Sequence, residues 1–401
     1  MMHAGLVSLG GYLPAKKIPT ERRATLFRFL RTRTLLPPEY VDMMEQTGTL
    51  PGRVETNHDG WGCQPWFDAW VRSLPPKKRA DPFQGAKERR RVPMDPLSVR
   101  ESVVAHPMLS SDAETIAGAL ALVNGEILPE TVDLVLVHSQ TPDVPLPHNV
   151  SLVQHKLKLD NAGAYGVDTC CSSFVTMLEI AESLVRAEVK KTVLIIAGYI
   201  DSHVNDKSEY FSVDCGDAAV AGVVSKVDEG YGYLASHSTS HGSRHKGIIF
   251  QRRSPRLLRR TNLGPSYAQE FTTFFDPDAC KEIASKALED MTGTSLQALG
   301  KAGLSVGDID MMVTHQPVSW AAHAWRNALG VPKEKFYESF EKYGNIANCA
   351  AATNLLEALE QGLVKEKNTA LIASSGAGEN HIAVVERISP RLVKSTRLLG
   401  E

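Results

Sequence analysis

The sequence predicts a duplicated α/β fold in which two similar halves contain buried strands covered by helices. The apolar strings that begin at Asp133 and Asp310 lie 177 residues apart. Those that begin at Thr192 and Thr369 have the same offset, and a helical pattern of similar composition lies between the two strings of each half. Equal offsets around matching helices indicate a duplication rather than a chance register.

Each half is predicted to run as helix, buried strand, turn, helix and buried strand. The strands are continuous apolar runs, as expected where helices cover both faces of a sheet. A helix from Asp112 to about Val123 precedes the first strand, and its counterpart runs from Asp278 to about Met291. The next helix has one apolar face, formed by Phe174, Met177, Leu178, Ala181, Leu184 and Val185.

We expect an N-terminal half at 1–247 and a C-terminal half at 248–401. Residues 18–84 break the regularity of the first half because they are rich in proline and charge. The segment also carries three tryptophans: Trp61, Trp66 and Trp70. It is too rich in aromatic residues to be simply disordered, so we interpret it as an elaboration inserted into the core.

The composition excludes several classes of protein. The 401 residues include 44 Lys and Arg against 46 Asp and Glu, whereas a whole-chain nucleic-acid binder carries a basic excess. The longest clean apolar stretch, 192–200, is far shorter than the roughly 20 residues of a membrane span. Residues 1–13 lack the basic start of a signal peptide, and the six cysteines form no CxxC pair. We therefore expect a cytoplasmic protein without a disulfide framework or a structural zinc.

A cysteine pair is the first candidate for chemistry. The string GVDTCCSSF places Cys170 and Cys171 at a turn directly before the helix with the apolar face. Unpaired N–H groups and the dipole at a helix start favour a thiolate and lower the pKa of a thiol there. Both cysteines are equally compatible with small buried hydrophobic side chains, so the motif alone leaves both interpretations open.

Three further positions carry groups that can act in a reaction. His315 ends the predicted strand 311–314, where catalytic groups of α/β sheets often lie, although His138 in the matching strand reads as a core histidine. Asn345, in the string KYGNIANC, is either a functional amide or a helix cap. The turn SSGAG offers backbone N–H groups that can face an oxyanion. It is followed by a strand-like run, unlike a dinucleotide-binding fingerprint.

With these residues in this order on a duplicated core, the chain resembles the thiolase superfamily. Within it, the chain is most similar to the β-ketoacyl-acyl carrier protein synthase III-like (KAS III-like) condensing enzymes. The strings that carry the resemblance are GGYLP, GAKERRRV, VLVHSQTPD, CSSF, CGDAAVAGVV and KYGNIANCAAAT. They span essentially the whole chain except roughly residues 18–84, and they imply the five-layer αβαβα thiolase fold.

The resemblance also implies roles for individual residues. Cys171 would be the nucleophile, while Cys170 stands where the family has a small residue. His315 and Asn345 would be the decarboxylation pair, and the N–H groups of Cys171 and Gly376 would form the oxyanion hole. Two departures are present: Gln-Pro-Val at 316–318 replaces the family's Gln-Ala-Asn, and the SSGAG turn has fewer glycines than usual.

The implied activity is acyl transfer followed by Claisen-type condensation with a malonyl- or β-ketoacyl-thioester. It would serve fatty-acid chain initiation or a specialised polyketide or fatty-acid-derived pathway, and the extra segment 18–84 favours the specialised role by shaping the acyl pocket or carrier entry. Coenzyme A or an acyl carrier protein would deliver the substrates to a homodimer, with no metal or redox cofactor. Residues 22–33 and 87–91 are basic enough to meet these acidic carriers, or are solvated charged faces. The main candidates for such carrier contacts are Arg252, Arg253, Arg256, Arg259 and Arg260.

Other functions agree less well with the sequence. A papain-like hydrolase would carry CGSCW, and a plant-type polyketide synthase would carry GFGPG near the C-terminus; neither string is present. Asn345 disfavours an acyltransferase that acts on an oxygen or nitrogen nucleophile, and retention of all three catalytic-type residues disfavours a silent partner subunit of a heterodimer. His237, His241 and His245 are spaced like metal ligands, but the string HSTSHGSRH is broken by serine and glycine. No metal site is therefore predicted.

Overall fold

The computed structural model describes residues 2–56, 88–91, 108–144, 146–201, 215–252, 271–274 and 276–397. The helices are α1 (Thr20–Arg33), α2 (Pro38–Thr47), α3 (Ser110–Asn124), α4 (Val150–Lys156), α5 (Ser173–Arg186), α6 (Pro277–Lys301), α7 (Ala321–Leu329), α8 (Phe340–Tyr343), α9 (Ala350–Glu360) and α10 (Pro390–Arg397). The strands are β1 (Ala4–Tyr12), β2 (Arg53–Thr56), β3 (Glu88–Arg91), β4 (Leu134–Ser139), β5 (Gly163–Gly166), β6 (Thr192–Tyr199), β7 (Ala218–Lys226), β8 (Gly232–Ser240), β9 (Ile249–Arg252), β10 (Phe271–Phe274), β11 (Met311–Thr314), β12 (Phe336–Tyr337), β13 (Thr369–Gly376) and β14 (Asn380–Arg387).

Two five-stranded sheets repeat one topology, which confirms the predicted duplication. The first has the order β1-β7-β6-β4-β5, and the second, from the corresponding edge, has the order β8-β14-β13-β11-β12. In both sheets the central strand is parallel to its neighbour on one side and antiparallel to its neighbour on the other. Two short pairs, β2 with β3 and β9 with β10, lie outside these sheets.

The repeated aspartates and threonines of the sequence are explained by one contact that occurs in both sheets. The Asp133 carboxylate accepts a hydrogen bond from the N–H of Thr192 at 3.1 Å. In the second sheet the Asp310 carboxylate accepts one from the N–H of Thr369 at 2.9 Å. Each contact ties the start of one strand to the start of its neighbour and so fixes the register of the two strands.

Five layers follow from the way the helices cover the sheets. α5 and α9 lie between the two sheets, α3 covers the outer face of the first sheet, and α6 covers the outer face of the second. The predicted apolar face of α5 supplies Phe174, Met177 and Leu178 to the core between the sheets. The αβαβα arrangement of a duplicated thiolase fold is therefore present.

Some predicted boundaries differ from those observed. α6 continues to Lys301 instead of ending near Met291, although Thr292 and Gly293 are poor helix formers. Beyond them, the buried Ala298 and Leu299 pack under the second sheet, and this tertiary contact outweighs the local preference.

The division of the chain at 247/248 stays a prediction. Sheet membership favours an earlier boundary, because β8 (Gly232–Ser240) pairs with β14 in the second sheet. Within the region 18–84, α1 packs against both α2 and α3. Trp61, Trp66 and Trp70 lie outside the described residues, and so does their predicted role in shaping a pocket.

A buried pair of acids links the central helix layer to the second sheet. The backbone N–H of Leu6 donates to the carboxylate of Glu386 at 2.7 Å, whereas both carboxylate oxygens of Glu182 are buried without a hydrogen-bond partner. Burial raises the pKa of Glu386 to about 7. Burial, and then the proximity of Glu386, raises the pKa of Glu182 well above its usual range, although Arg186 acts in the opposite direction. Because the folded state favours the protonated acids, the stability that depends on protonation is lost as the pH rises from about 4.5 through about 7.

We expect Glu182→Gln to remove part of this pH dependence. Its free energy of unfolding should exceed that of the wild type by about 1–3 kcal/mol at pH 8 and match it near pH 4.5, because the amide cannot ionise. Urea denaturation at the two pH values measures the difference, with the exposed Glu366→Gln as the control. An equal difference at both pH values would contradict the role assigned to ionisation.

Candidate active site

Cys171 lies in a short 3₁₀ turn, Cys170–Ser172, immediately before α5. The backbone N–H of Cys170 donates to the Asp168 carboxylate at 2.9 Å, and the hydroxyl of Ser374 on β13 donates to the carbonyl of Cys171 at 2.9 Å. Cys170 adopts a left-handed conformation with φ 54°, which is unfavourable for a residue with a side chain. The turn is therefore held in an unusual conformation by both sheets.

The two thiols of this turn interact. The sulfur atoms of Cys170 and Cys171 lie 3.8 Å apart, and the side-chain amide of Gln140 donates to the sulfur of Cys170 at 3.1 Å. The hydrogen bond with the neighbouring thiol, together with burial, raises the pKa of Cys171, whereas the same hydrogen bond lowers the pKa of Cys170. The pair thus shares one negative charge at its first ionisation. This differs from the lowered pKa of Cys171 predicted from the helix start, because the adjacent thiol and burial outweigh the helix.

His315 directly follows β11, as predicted, and its backbone N–H donates to the carbonyl of Ala373 on β13 at 3.0 Å. The side chain is 2% exposed, and its Nδ1 has no hydrogen-bond partner. Burial lowers the pKa of His315 to about 3. The imidazole is therefore neutral around pH 7.

Asn345 is tied to the segment that follows His315. Its side-chain amide donates to the carbonyl of Pro317 at 3.2 Å, and its side-chain oxygen accepts from the N–H of Ala347 at 2.9 Å. The buried Gln316 holds the same corner by donating to the carbonyl of Gly344 at 2.8 Å. Gln316 and the backbone carbonyl of Pro317 thus supply two of the contacts that bring Asn345 to the end of β11.

The internal repeat relates the nucleophile turn to the loop that carries Asn345. With the same offset of 177 residues, Cys170–Ser172 corresponds to a second 3₁₀ turn, Ala347–Cys349, and these two turns contact each other. Ala347 has φ 45° and repeats the left-handed conformation of Cys170. The His138 ring lies 2.7 Å from the side-chain amide of Asn348, which is the counterpart of Cys171. The contact of His138 in the first half with Asn348 in the second is therefore the symmetry counterpart of a pairing between His315 and Cys171.

Gly376 is the last residue of β13 and lies against the nucleophile turn. A Cβ atom at this position would lie 2.1 Å from the carbonyl oxygen of Thr169 and 3.0 Å from the nitrogen of Ser172, so a side chain is excluded by sterics. The backbone of the next residue, Ala377, acts to lower the pKa of Cys171, against the neighbouring thiol and burial, which raise it. Gly376 thus lies beside the turn that carries Cys171, and its role as an oxyanion-hole donor stays a prediction.

Several neighbours of the site were not singled out from the sequence. The His138 Nε2 atom lies 3.0 Å from the Asp168 carboxylate, and the hydrogen bond with His138 lowers the pKa of Asp168 below its usual range. The 177-residue offset was the available signal, because it pairs His138 with His315 and Asp168 with Asn345. No comparable sequence signal marks Gln140.

The basic segments give a mixed result. Arg252 ends β9, while Arg253, Arg256, Arg259 and Arg260 lie outside the described residues. Within 22–33, Arg31 pairs with Asp42 and Glu45, and Arg33 pairs with Glu130. Arg22 and Arg23 donate to the backbone carbonyls of Val123 and Ile18. Most of that segment's arginines thus already have partners within the chain.

Among the described residues, no helix combines the length and apolar character needed to cross a membrane.

Two family models match the chain. Residues 165–242 match the model for 3-oxoacyl-[acyl-carrier-protein] synthase III, and residues 299–388 match the model for its C-terminal part. The first match contains Cys171, and the second contains His315, Asn345 and Gly376.

Curated relatives and solved structures agree with these matches. The chain is 29% identical to β-ketoacyl-[acyl-carrier-protein] synthase III of Caldanaerobacter subterraneus, over 82% of this chain and 92% of that protein. It is 27% identical to a second protein of that name from Vibrio cholerae, over 85% and 87%. The crystal structure of the Thermus thermophilus synthase III superimposes with a TM-score of 0.70 at 26% identity, covering 96% of this chain and 99% of that one. The priming β-ketosynthase of the R1128 polyketide pathway shares the fold, with a TM-score of 0.69 at 20% identity over 97% of both chains. Fold and comparisons together support a KAS III-like enzyme of the thiolase superfamily.

Proposed function

We propose that this protein forms an acyl thioester on Cys171 and condenses it with a malonyl- or β-ketoacyl-thioester. The observation that carries the proposal is the meeting of two related 3₁₀ turns, Cys170–Ser172 and Ala347–Cys349, at the junction of the two sheets. One turn presents a thiol, and the chain leading into the other presents the Asn345 amide, which is hydrogen-bonded to the segment after His315.

The first half-reaction is transfer of the acyl group to sulfur. The sulfur of Cys171 attacks the thioester carbonyl, a carbon–sulfur bond forms, and the carrier leaves as a thiolate that takes up the proton. The adjacent Cys170 thiolate, held by Gln140, accepts the hydrogen bond of the Cys171 thiol and so receives its proton as attack begins. The N–H groups of Cys171 and Gly376 stabilise the tetrahedral oxyanion, and losing one such donor costs about 10²–10³ in rate.

The second half-reaction forms the carbon–carbon bond. The neutral imidazole of His315 donates a hydrogen bond to the carbonyl oxygen of the incoming thioester. The Asn345 amide donates a second one, since only one of its two N–H bonds is engaged by Pro317. These bonds stabilise the enolate that forms as carbon dioxide leaves or a proton is removed. The enolate carbon then attacks the acyl carbonyl on Cys171, and the thiolate of Cys171 is released.

The substrates are proposed to arrive on coenzyme A or an acyl carrier protein, as the family relationship implies. Both carriers are acidic, so the arginines from Arg252 to Arg260 are the proposed contact, since most arginines in 22–33 already have partners. We further propose a cytoplasmic homodimer that requires no metal or redox cofactor for this reaction. The specialised biosynthetic role is supported by the likeness in fold to a polyketide priming ketosynthase.

Two other functions are supported less well. A non-condensing acyltransferase would need no second donor beside His315. The hydrogen bonds of Gln316 with Gly344 and of the Asn345 amide with Pro317 support such a second donor. A silent partner subunit would need neither the thiol pair nor its bond with Gln140.

Replacing each cysteine separately tests which sulfur carries the acyl group. Intact-protein mass spectrometry with a panel of acyl thioesters should show a covalent adduct on the wild type and on Cys170→Ala, and none on Cys171→Ala. In Cys170→Ala the pH at half-maximal acylation rate should rise by about one unit or more. The reason is that the hydrogen bond between the two sulfurs, which favours the first ionisation of the thiol pair, is lost. An adduct on Cys171→Ala together with none on Cys170→Ala would assign the nucleophile to Cys170 instead.

His315→Ala should still acquire the acyl group but should condense about 10²–10³ times more slowly, since a donor to the enolate is lost. In the wild type, condensation from the preformed acyl enzyme should not change with pH between 5 and 8 through His315, because its pKa of about 3 keeps it neutral. Single-turnover assays measure both effects, with His323→Ala on α7 as the control. A pH dependence centred near 6.5 that disappears in His315→Ala would show instead that the imidazole titrates.

Gly376→Ala tests the close approach of β13 to the nucleophile turn. The new methyl group would overlap the Thr169 carbonyl, so we expect the turn to shift and the acylation rate to fall by about 10² or more. Gly242→Ala is the matched control, because a Cβ there meets no heavy atom within 4 Å. Acylation at the wild-type rate in a folded Gly376→Ala protein would mean that the contact does not position the site.

A further inference from the structure

A cluster of polar side chains lies on the outer face of the second sheet, apart from the cysteine pair. It contains His241 after β8, Asp290 on α6, and Glu379 and His381 at the start of β14. His381 alternates along β14 with residues of the central core and shares its face with Ala383, which belongs to the core under α6. These residues come from three separate parts of the chain and meet only in the folded protein.

The distances within the cluster suit a small metal ion. The Nε2 atom of His241 lies 3.3 Å from one Asp290 oxygen, and the Nε2 atom of His381 lies 4.0 Å from the other. The same His381 nitrogen lies 3.3 Å from the Glu379 carboxylate. In a tetrahedral zinc site with bonds of about 2.0–2.1 Å, neighbouring ligand atoms are separated by about 3.3–3.4 Å. The ligand atoms of His241, Asp290 and His381 all lie within 4.8 Å of one another, and Glu379 would join them from its position beside His381.

The cluster is incompletely satisfied as a hydrogen-bonded network. His381 is 1% exposed, and its Nδ1 atom has no hydrogen-bond partner. Arg244 is 3% exposed and places Nη2 2.7 Å from Asp290, while its Nε and Nη1 atoms are buried without hydrogen-bond partners. The Arg244 N–H groups are donors that call for an acceptor such as a buried water. A metal on the Nε2 atom of His381 would fix Nδ1–H as a donor to a second partner.

The charges also leave room for a cation. Asp290 and Glu379 carry two negative charges in a mostly buried position, and Arg244 offsets one of them. A divalent ion bound by two neutral imidazoles would bring the set to a net charge of about +1, within the range that protein metal sites tolerate. His241 is 39% exposed and gives the ion a route from solvent.

The ligand types select the metal. Two imidazoles with carboxylates suit Zn²⁺ and related transition ions, whereas Ca²⁺ and Mg²⁺ prefer oxygen ligands alone. We propose that His241, Asp290, Glu379 and His381 bind a structural Zn²⁺ ion. The ion would tie α6 and the end of β8 to the turn that carries Gly376 and Ala377, and it takes no part in the acyl chemistry.

One proposed ligand, His241, belongs to a segment whose three histidines, His237, His241 and His245, are spaced like metal ligands. The segment is not helical, since β8 continues to Ser240 and a 3₁₀ turn follows. The other proposed ligands lie far along the chain, at Asp290 and beyond Gly378, so no local motif could reveal them.

Zinc binding to the untagged full-length protein tests the proposal. After chelator treatment and dialysis, titration with zinc chloride should show one tight site per chain, and the melting temperature should rise by several degrees. His241→Ala should weaken binding more than about tenfold, and His381→Gln should do the same. His245→Ala is the matched control, because this exposed histidine lies on the same segment outside the proposed ligand set. Co²⁺ in place of Zn²⁺ should give the visible absorption of a tetrahedral ion in the wild type and in His245→Ala, and not in His241→Ala.

Two outcomes would overturn the proposal. One is the lack of any stoichiometric zinc binding by the wild type. The other is binding that persists in His241→Ala and disappears in Cys171→Ala, which would assign the ion to the cysteine pair. His241→Ala removes a half-exposed side chain, so it tests binding without disturbing the buried core. The zinc-free protein should still acquire the acyl group, because the proposed acylation requires no metal. A failure of zinc binding would therefore overturn this proposal without affecting the proposed function.

Discussion

The contact between the end of β13 and the turn Cys170–Ser172 is the constraint on which the active site depends. Gly376 approaches the backbone of Thr169 and Ser172 so closely that no side chain fits between them. The hydroxyl of Ser374 holds the carbonyl of Cys171 from the same strand. A strand of the second sheet thus holds Cys171, the proposed nucleophile, ahead of the central helix of the first half. Each half would lack a complete site without the other.

Internal symmetry explains how one fold provides both a nucleophile and a pair of hydrogen-bond donors. The two related 3₁₀ turns have the same left-handed first residue, Cys170 in one and Ala347 in the other. A histidine lies at the corresponding end of β4 and of β11, His138 in the first half and His315 in the second. The halves differ in what they place at equivalent positions: a thiol in the first and the amide of Asn348 in the second. Duplication followed by divergence of a few side chains is sufficient to account for this asymmetry.

Electrostatics inside this site follow from burial. The imidazole of His315 stays neutral because water is excluded from it, and a neutral ring donates a hydrogen bond without introducing a charge. The neighbouring thiols share a charge, since their sulfurs are 3.8 Å apart and Gln140 stabilises one of them. Cys170 thereby raises the pKa of Cys171, an effect that is absent where a single thiol lies at the start of a helix.

Periodicity and internal repetition in the sequence were sufficient to predict a duplicated α/β core, because buried strands and one-faced helices leave local patterns. The five-layer αβαβα arrangement was implied by the resemblance of the motifs to the thiolase superfamily. The order of the motifs also predicted Cys171, His315 and Asn345 as residues of the active site. Tertiary structure alone decided the rest. That Gly376 packs against the Thr169 carbonyl, that α6 continues past Gly293, and that His381 meets His241 and Asp290 all depend on contacts between segments distant in sequence. Local patterns record the conformational preferences of neighbouring residues, whereas these contacts arise only when packing brings remote segments within hydrogen-bonding distance.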